Sequence, residues 1–159
     1  MKQRKPRTAY QLLARVRDHI AEEPRRYFQG DYIVDDKDRL REIGLRPPCG
    51  TAACRAGWII LLHDGPEAKR ESMYRRTQEI LGMSIDQLAP LVAGSACDYE
   101  SGLAPVKCPE YLDQVEVLPP TDPEYIRRGV RGLETFMKQH EKHLKSRLLA
   151  HVPCFVSLP

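Results

Sequence analysis

The cysteines and histidines are the side chains of this sequence best suited to covalent or metal chemistry. Cys49 is the most suggestive. It lies in Pro47-Pro48-Cys49-Gly50-Thr51, a loop that reads as the lead-in to a helix capped by Thr51. A thiol two positions before a helix cap meets free N–H groups and the positive end of the dipole, both of which favour a thiolate. A nucleophilic cysteine also needs a base, and His19, His63, His140 or His143 could supply one in space. No complete catalytic signature surrounds Cys49, and a packed structural thiol is the plainer reading.

Metal chemistry draws on the same residues. Cys49, Cys54, Cys97 and Cys108 could make a four-thiolate set, but they fall in pairs separated by four and ten residues, not the close x2 pairs of structural zinc sites. His140 and His143 are i,i+3 and could reach one ion. His140, however, belongs to an apolar helical seam, where a core or interfacial histidine is expected. The sequence therefore predicts no cofactor and no metal.

Nucleic-acid recognition is the third chemistry. Thr77 to Leu91 has the outline of a helix-turn-helix, with Leu81, Gly82, Met83, Ser84, Leu88 and Leu91 at turn and core positions. Its second helix carries Asp86 and Pro90 and no Arg or Lys, so a plain packing corner is expected. Two basic groups remain. Lys2, Arg4, Lys5 and Arg7 form an N-terminal tail, and Arg127, Arg128, Arg131, Lys138, Lys142, Lys145 and Arg147 decorate the last helix. They could hold nucleic acid without sequence preference. A solubilising surface is the plainer alternative. No Gly-rich phosphate loop, paired-carboxylate motif or serine elbow occurs.

The charge layout runs basic, acidic, basic. Residues 1–83 carry 17 basic and 12 acidic side chains, residues 84–124 carry Lys107 against eight acids, and residues 125–159 carry seven basic and two acidic. Either the acidic stretch neutralises the basic ends when they pack, or the surface presents two signs to a partner. The chain has 159 residues, 42% apolar and 30% charged, a globular composition. An odd number of cysteines predicts free thiols in a reducing cytoplasm. Met1 to Arg7 is charged with no apolar run behind it, unlike a signal peptide. The longest apolar run, Trp58 to Leu62, is too short for a bilayer, so no membrane partner is expected.

The elements that position these residues read as helices. Thr8 caps a helix over about 8–22, with Ala9, Leu12, Leu13, Val16 and Ile20 on one face and Pro24 as its stop. Asp35 to Ile43 suits a short helix ended by Gly44. The helix over about 51–63 is apolar almost all round and must be central. On it, Ala53 and Gly57 would let another helix approach closely. Glu67 to Leu81 and Ser84 to Val92 follow. The stretch 93–120 is a long connection with extended pieces near Val115 and Val117. Thr121-Asp122-Pro123 opens the longest helix, over about 123–149. There Ile126, Val130, Leu133, Met137, His140, Leu144 and Leu148 form a coiled-coil-type seam, and Glu134–Lys138 and Glu141–Lys145 suit i,i+4 pairs.

At Pro48-Cys49-Gly50-Thr51-Ala52-Ala53-Cys54-Arg55-Ala56-Gly57-Trp58 the chain resembles a set of small bacterial and phage-type proteins that carry C-G-T-x-x-C-x-A-G-W. The likeness continues through Ile80-Leu81-Gly82-Met83-Ser84, Gln87 and Leu88 and ends at Leu133 and Phe136. Arg55 departs from the apolar residue usual at its place. The resemblance implies one helical domain and no particular activity.

The sequence thus predicts an all-α bundle of five or six helices around the 51–63 helix. A basic tail, residues 1–7, precedes the domain at 8–149, and an extension, 150–159, follows it. The expected function is a non-enzymatic binding module whose partner is another protein. The alternatives are a nucleic-acid-associated protein using the basic ends and a thiol-dependent enzyme with Cys49 as nucleophile. The oligomeric state is left open.

Overall fold

The computed structural model of the chain describes residues 6–29, 33–47, 50–65, 68, 72–92 and 119–150. Among these the fold is all-α, with seven helices and a single two-stranded ladder. None of the helices is long and apolar enough to cross a membrane.

Helix α1, Ala9–Glu22, starts where Thr8 accepts a hydrogen bond from the Gln11 amide at 3.3 Å. Its apolar stripe of Ala9, Leu12, Leu13, Val16 and Ile20 is wholly buried, as the 3.6-residue period requires. A 3₁₀ turn at Pro24–Arg26 redirects the chain. Helix α2, Lys37–Glu42, is capped by Asp36, and Gly44 follows it in a left-handed conformation (φ 74°).

Strand β1, Ile33–Val34, pairs antiparallel with β2, Ala52–Ala53. This pairing overturns the expected helix start at Thr51. Alanine favours helix by local propensity, but Ala52 and Ala53 give their backbone groups to the ladder, and Ala53 also accepts from the Phe28 amide at 3.1 Å. Helix α3 therefore begins three to four residues late, at Arg55–Asp64. Its cap is Cys54, whose sulfur accepts from the Gly57 amide at 3.3 Å. The expected role of Ala53 in helix–helix approach falls away, because Ala53 is in the ladder. The expectation that this helix is the central one stands: every residue from Arg55 to His63 is buried.

Helix α4, Met73–Leu81, is capped by Ser72, not begun at Glu67, and closes on Gly82 in the left-handed region (φ 64°, ψ 39°). Helix α5, Ile85–Val92, opens with a reciprocal box. Gln87 accepts from the Ser84 amide at 3.0 Å, and Ser84 accepts from the Gln87 amide at 3.4 Å. The last segment holds two helices instead of one: α6, Pro123–Gln139, and α7, Glu141–Ser146, separated at His140 (φ −111°, ψ 19°). Leu133, Met137 and Leu144 of the expected seam are buried, but Leu148 lies past the end of α7 and is 71% exposed.

Helices α1 and α3 pack on each other. α4 and α5 cover α3, α6 and α7 cover α1, and α5 meets α6. The main core runs through all of these, and a satellite of Val34, Leu40, Leu45 and Ala52 sits under the ladder.

Candidate functional site

Each described histidine is engaged in the fold. His19 stacks on Trp58 with ring centroids 4.1 Å apart, and His140 lies 4.6 Å from the Phe136 ring. His63 shares a 2.7 Å hydrogen bond with Asp64, which in turn accepts two 2.6 Å bonds from the Arg76 guanidinium. Burial would raise the Asp64 carboxyl, but the bonds from Arg76 and His63 outweigh it and hold the group below its usual range. His143 bonds the Leu81 carbonyl at 2.9 Å through Nε2. With Arg147, which donates to the Glu79 and Ile80 carbonyls at 2.6 and 3.4 Å, it closes the open end of α4.

The cysteine arguments change with the start of α3. The cap is Cys54, so Cys49 stands five positions before it in sequence rather than two, and the argument from a cap at Thr51 no longer applies. Cys49, Cys97, Cys108 and Cys154 lie outside the described residues. Cys54 is buried, with its sulfur 3.9 Å from that of Met73. Burial pushes its thiol up, against the pull of the Gly57 and Ala56 N–H groups. Among the described residues no group of three or more His, Cys, Asp or Glu side chains is placed to hold a metal.

The helix-turn-helix outline is real as geometry: α4, a left-handed Gly82, then α5. Leu81, Met83, Leu88 and Leu91 face inward and are buried, while α5 turns Ile85, Asp86 and Gln87 outward. The Gln87 side-chain oxygen is spent on Ser84. The corner packs the core.

The segment at Arg7–Ala9 meets the segment at Arg147–Leu149. Thr8 bridges Leu148, the Ala9 amide donates to the Arg147 carbonyl at 2.9 Å, and the Leu149 amide donates to the Arg7 carbonyl at 3.0 Å. Arg7 therefore lies beside the end of α7. Lys2, Arg4 and Lys5 fall outside the described residues, as do the extended pieces expected near Val115 and Val117. On α6, Asp122 caps the first turn and places Glu124 at its start. Three guanidinium groups then converge on that one carboxylate: Arg127 at 2.8 Å, Arg128 at 3.4 Å and Arg131 at 2.6 Å. They hold the Glu124 carboxyl below its usual range, Arg127 first.

Farther along, Glu141 pairs with Lys145 at 2.6 Å as the spacing predicted. Glu134 does not take Lys138. Its nearest cation is Arg17 of α1, at 3.9 Å, and Lys138 and Lys142 are exposed with no ion pair among the described residues. Between α1 and α6–α7 lies a depression of about 180 Å³ lined by Tyr10, Arg17, Glu134, Met137, Lys138 and Glu141. The outer face of α6 and α7 is thus two-signed, with an excess of positive charge. No protein-family model, curated protein or solved structure matches the chain.

Sequence reasoning missed a second constellation, deep in the fold. Gln29, 5% exposed, joins four segments. Its amide N–H donates to the Tyr125 hydroxyl at 2.7 Å, at the start of α6. Its side-chain nitrogen donates to the Leu91 carbonyl at 3.2 Å, near the end of α5. Its side-chain oxygen accepts from the Tyr27 hydroxyl at 3.1 Å, and from Arg55 at the start of α3 through the backbone amide at 3.2 Å and Nε at 3.1 Å. The only sequence signal was Arg55, a charged residue inside an otherwise apolar run.

Proposed function

We propose that this chain is a non-enzymatic binding module that docks another protein on the outer face of α6 and α7. One observation carries the reading. Arg127 and Arg128 both pair with the one carboxylate of Glu124, and the exposed Lys138 and Lys142 extend the positive charge along the same segment. Glu134 and Glu141 interrupt that face and border the depression beside Tyr10 and Met137. A phosphate backbone meeting the whole face would be repelled at both acids. A protein surface rich in acids can set bases opposite them. The partner is therefore a predominantly acidic protein surface that also carries basic side chains, met in the cytoplasm.

Nucleic-acid association is the second reading, favoured by the pairing that brings Arg7 beside the end of α7. The enzyme reading at Cys49 loses its motive, since the cap of α3 is Cys54.

The test compares wild type with a variant carrying Arg127→Gln, Arg128→Gln, Arg131→Gln and Lys138→Gln, each used as bait in native lysate and cross-linked. A protein retained by wild type, released from the variant and cross-linked to Lys142 or Lys145 supports the reading. A partner held equally by both baits overturns it. Binding to oligonucleotides at low salt, with a log–log salt slope of about −0.9 per phosphate contacted on duplex, reassigns the face to nucleic acid.

A further inference from the structure

The depression between α1 and α6–α7 encloses about 180 Å³. Its size decides what class of group it can take. Sites for cofactors and other drug-sized molecules run to about 300–1,000 Å³, whereas a cavity of about 150 Å³ holds a benzene ring. One ring therefore fills it. Tyr10 and Met137 supply the apolar lining, and both pack on the main core. A phenol ring and a thioether are each favourable neighbours for a second aromatic ring.

The charges around the depression select against an ion of either sign. Glu134 and Glu141 line it from α6 and α7, and Arg17 and Lys138 line it from α1 and α6. Lys145 adds a third cation, 5.2 Å from the centroid of the Tyr10 ring and 2.6 Å from Glu141. An entering anion would meet two carboxylates, and an entering cation three bases, so the group that fits inside is uncharged. What stands beside it is set by the wider face. Residues 123–146 carry six Lys and Arg against three Glu, and Lys138 and Lys142 are exposed there. Acidic residues flanking the ring match that potential. Aromatic side chains seated in a pocket and surrounded by polar contacts are common anchors of protein interfaces.

We propose that this depression seats one Phe or Tyr ring of a protein partner, with acidic residues on either side of that ring meeting Lys138 and Lys142. The proposal rests on the docking reading of the α6–α7 face and adds its anchor. Tyr10 and Met137 recognise the ring, and the lysines recognise its neighbours.

The probes are the peptide acetyl-Asp-Glu-Phe-Glu-Asp-amide, its counterparts with Ala or Lys in place of Phe, and phenylacetate. Each is titrated against the full chain while the Met137 methyl resonance is followed. The Phe peptide is expected to shift that resonance saturably and to bind about tenfold or more tightly than the Ala peptide. Tyr10→Ala should erase most of that difference. If Tyr10→Ala does not fold, the Phe and Ala peptides on wild type carry the test. Equal binding of these two peptides, tighter binding of the Lys peptide, or an unmoved Met137 resonance overturns the proposal. Phenylacetate bound as tightly as the Phe peptide does so as well, since the site is then one for a small molecule. The anchor and the docking face fail separately. A lysate protein cross-linked to Lys142, alongside equal affinities for the Phe and Ala peptides, overturns the anchor and keeps the face. Phe-selective binding without any protein retained by the wild-type bait supports the anchor and overturns the face.

Discussion

A Cβ on Gly129 would lie 2.5 Å from Cε1 of Tyr27. Helix α6 thus rides directly on the buried tyrosine, and the tyrosine cannot swing aside. Its ring is 2% exposed, lies 5.4 Å from that of Tyr125, and is tied through its hydroxyl to Gln29. Alanine is the better helix former by about 1 kcal/mol, but overpacking a rigid contact costs about 1–3 kcal/mol and more where nothing yields. Gly129→Ala is expected to lower stability in urea unfolding despite its propensity. A midpoint at or above wild type would show that Tyr27 moves freely.

His19 and Trp58 give a pH-dependent signal. Burial, and then the charge of Arg26, lower the His19 pKa to about 4. The folded state therefore binds the proton less readily than the unfolded chain, whose histidine titrates near 6.5. Stability from this group is full above about 6.5 and is lost as pH falls toward 4, because the unfolded state takes up the proton first. Trp58 is the single tryptophan, and its ring is 4.1 Å from the imidazole. An imidazolium at that distance quenches indole emission. Native emission is expected to drop with a midpoint near pH 4, and His19→Gln should abolish the step. A midpoint near 6.5 would show His19 to be solvated.

Much of this architecture was legible because its signals are local. Thr8 before an i, i+3, i+4 apolar stripe placed α1 to within a residue, and Asp122-Pro123 and Ser84 marked two further starts. The misplaced start of α3 has a non-local cause. Ala52 and Ala53 are strand only because Ile33 and Val34, some twenty residues away, pair with them. The break at His140 left no mark either, since the seam continues across it to Leu144. The convergence on Glu124 follows helical spacing, i+3, i+4 and i+7, and could have been read directly. The Gln29 junction could not. Its members stand at 27, 29, 55, 91 and 125, and no periodicity links them.

Cys54 should behave as a cap and not as a reagent. Its sulfur is buried, its thiol is pushed up, and it accepts from the Gly57 amide. Iodoacetamide at pH 7 is expected to leave Cys54 unmodified until the protein unfolds, as peptide mapping will show. Cys54→Ala removes the side-chain acceptor of the Gly57 amide in the first turn of α3 and should cost about 0.5–2 kcal/mol, whereas Cys54→Ser supplies an ordinary cap and should cost less. Equal losses in thermal melts would mean that packing against Met73, and not capping, is what the residue contributes.

The last prediction separates two uses of arginine on one surface. Arg147 looks like part of the basic face, but its guanidinium is committed to the Glu79 and Ile80 carbonyls at 2.6 and 3.4 Å. It lies so close over Gly82 that a Cβ there would sit 2.9 Å from Nε. Together with His143 on the Leu81 carbonyl, it satisfies the end of a helix that closes on a left-handed glycine. A charge-assisted bond to a helix terminus is worth about 1.5–3 kcal/mol when shielded and less when half-exposed, so Arg147→Gln should destabilise by about 1 kcal/mol. Amide exchange should quicken at Gly82 and Met83, whose N–H groups bond back to the Gln78 carbonyl at 2.7 and 3.4 Å. Arg127 makes its ion pair in open solvent, where such contacts contribute little, so Arg127→Gln should leave the melting curve where it was and change only what the face binds. If Arg127→Gln destabilises as much as Arg147→Gln, the Glu124 cluster holds the fold, and the outer face of α6 loses its standing as a surface kept for a partner.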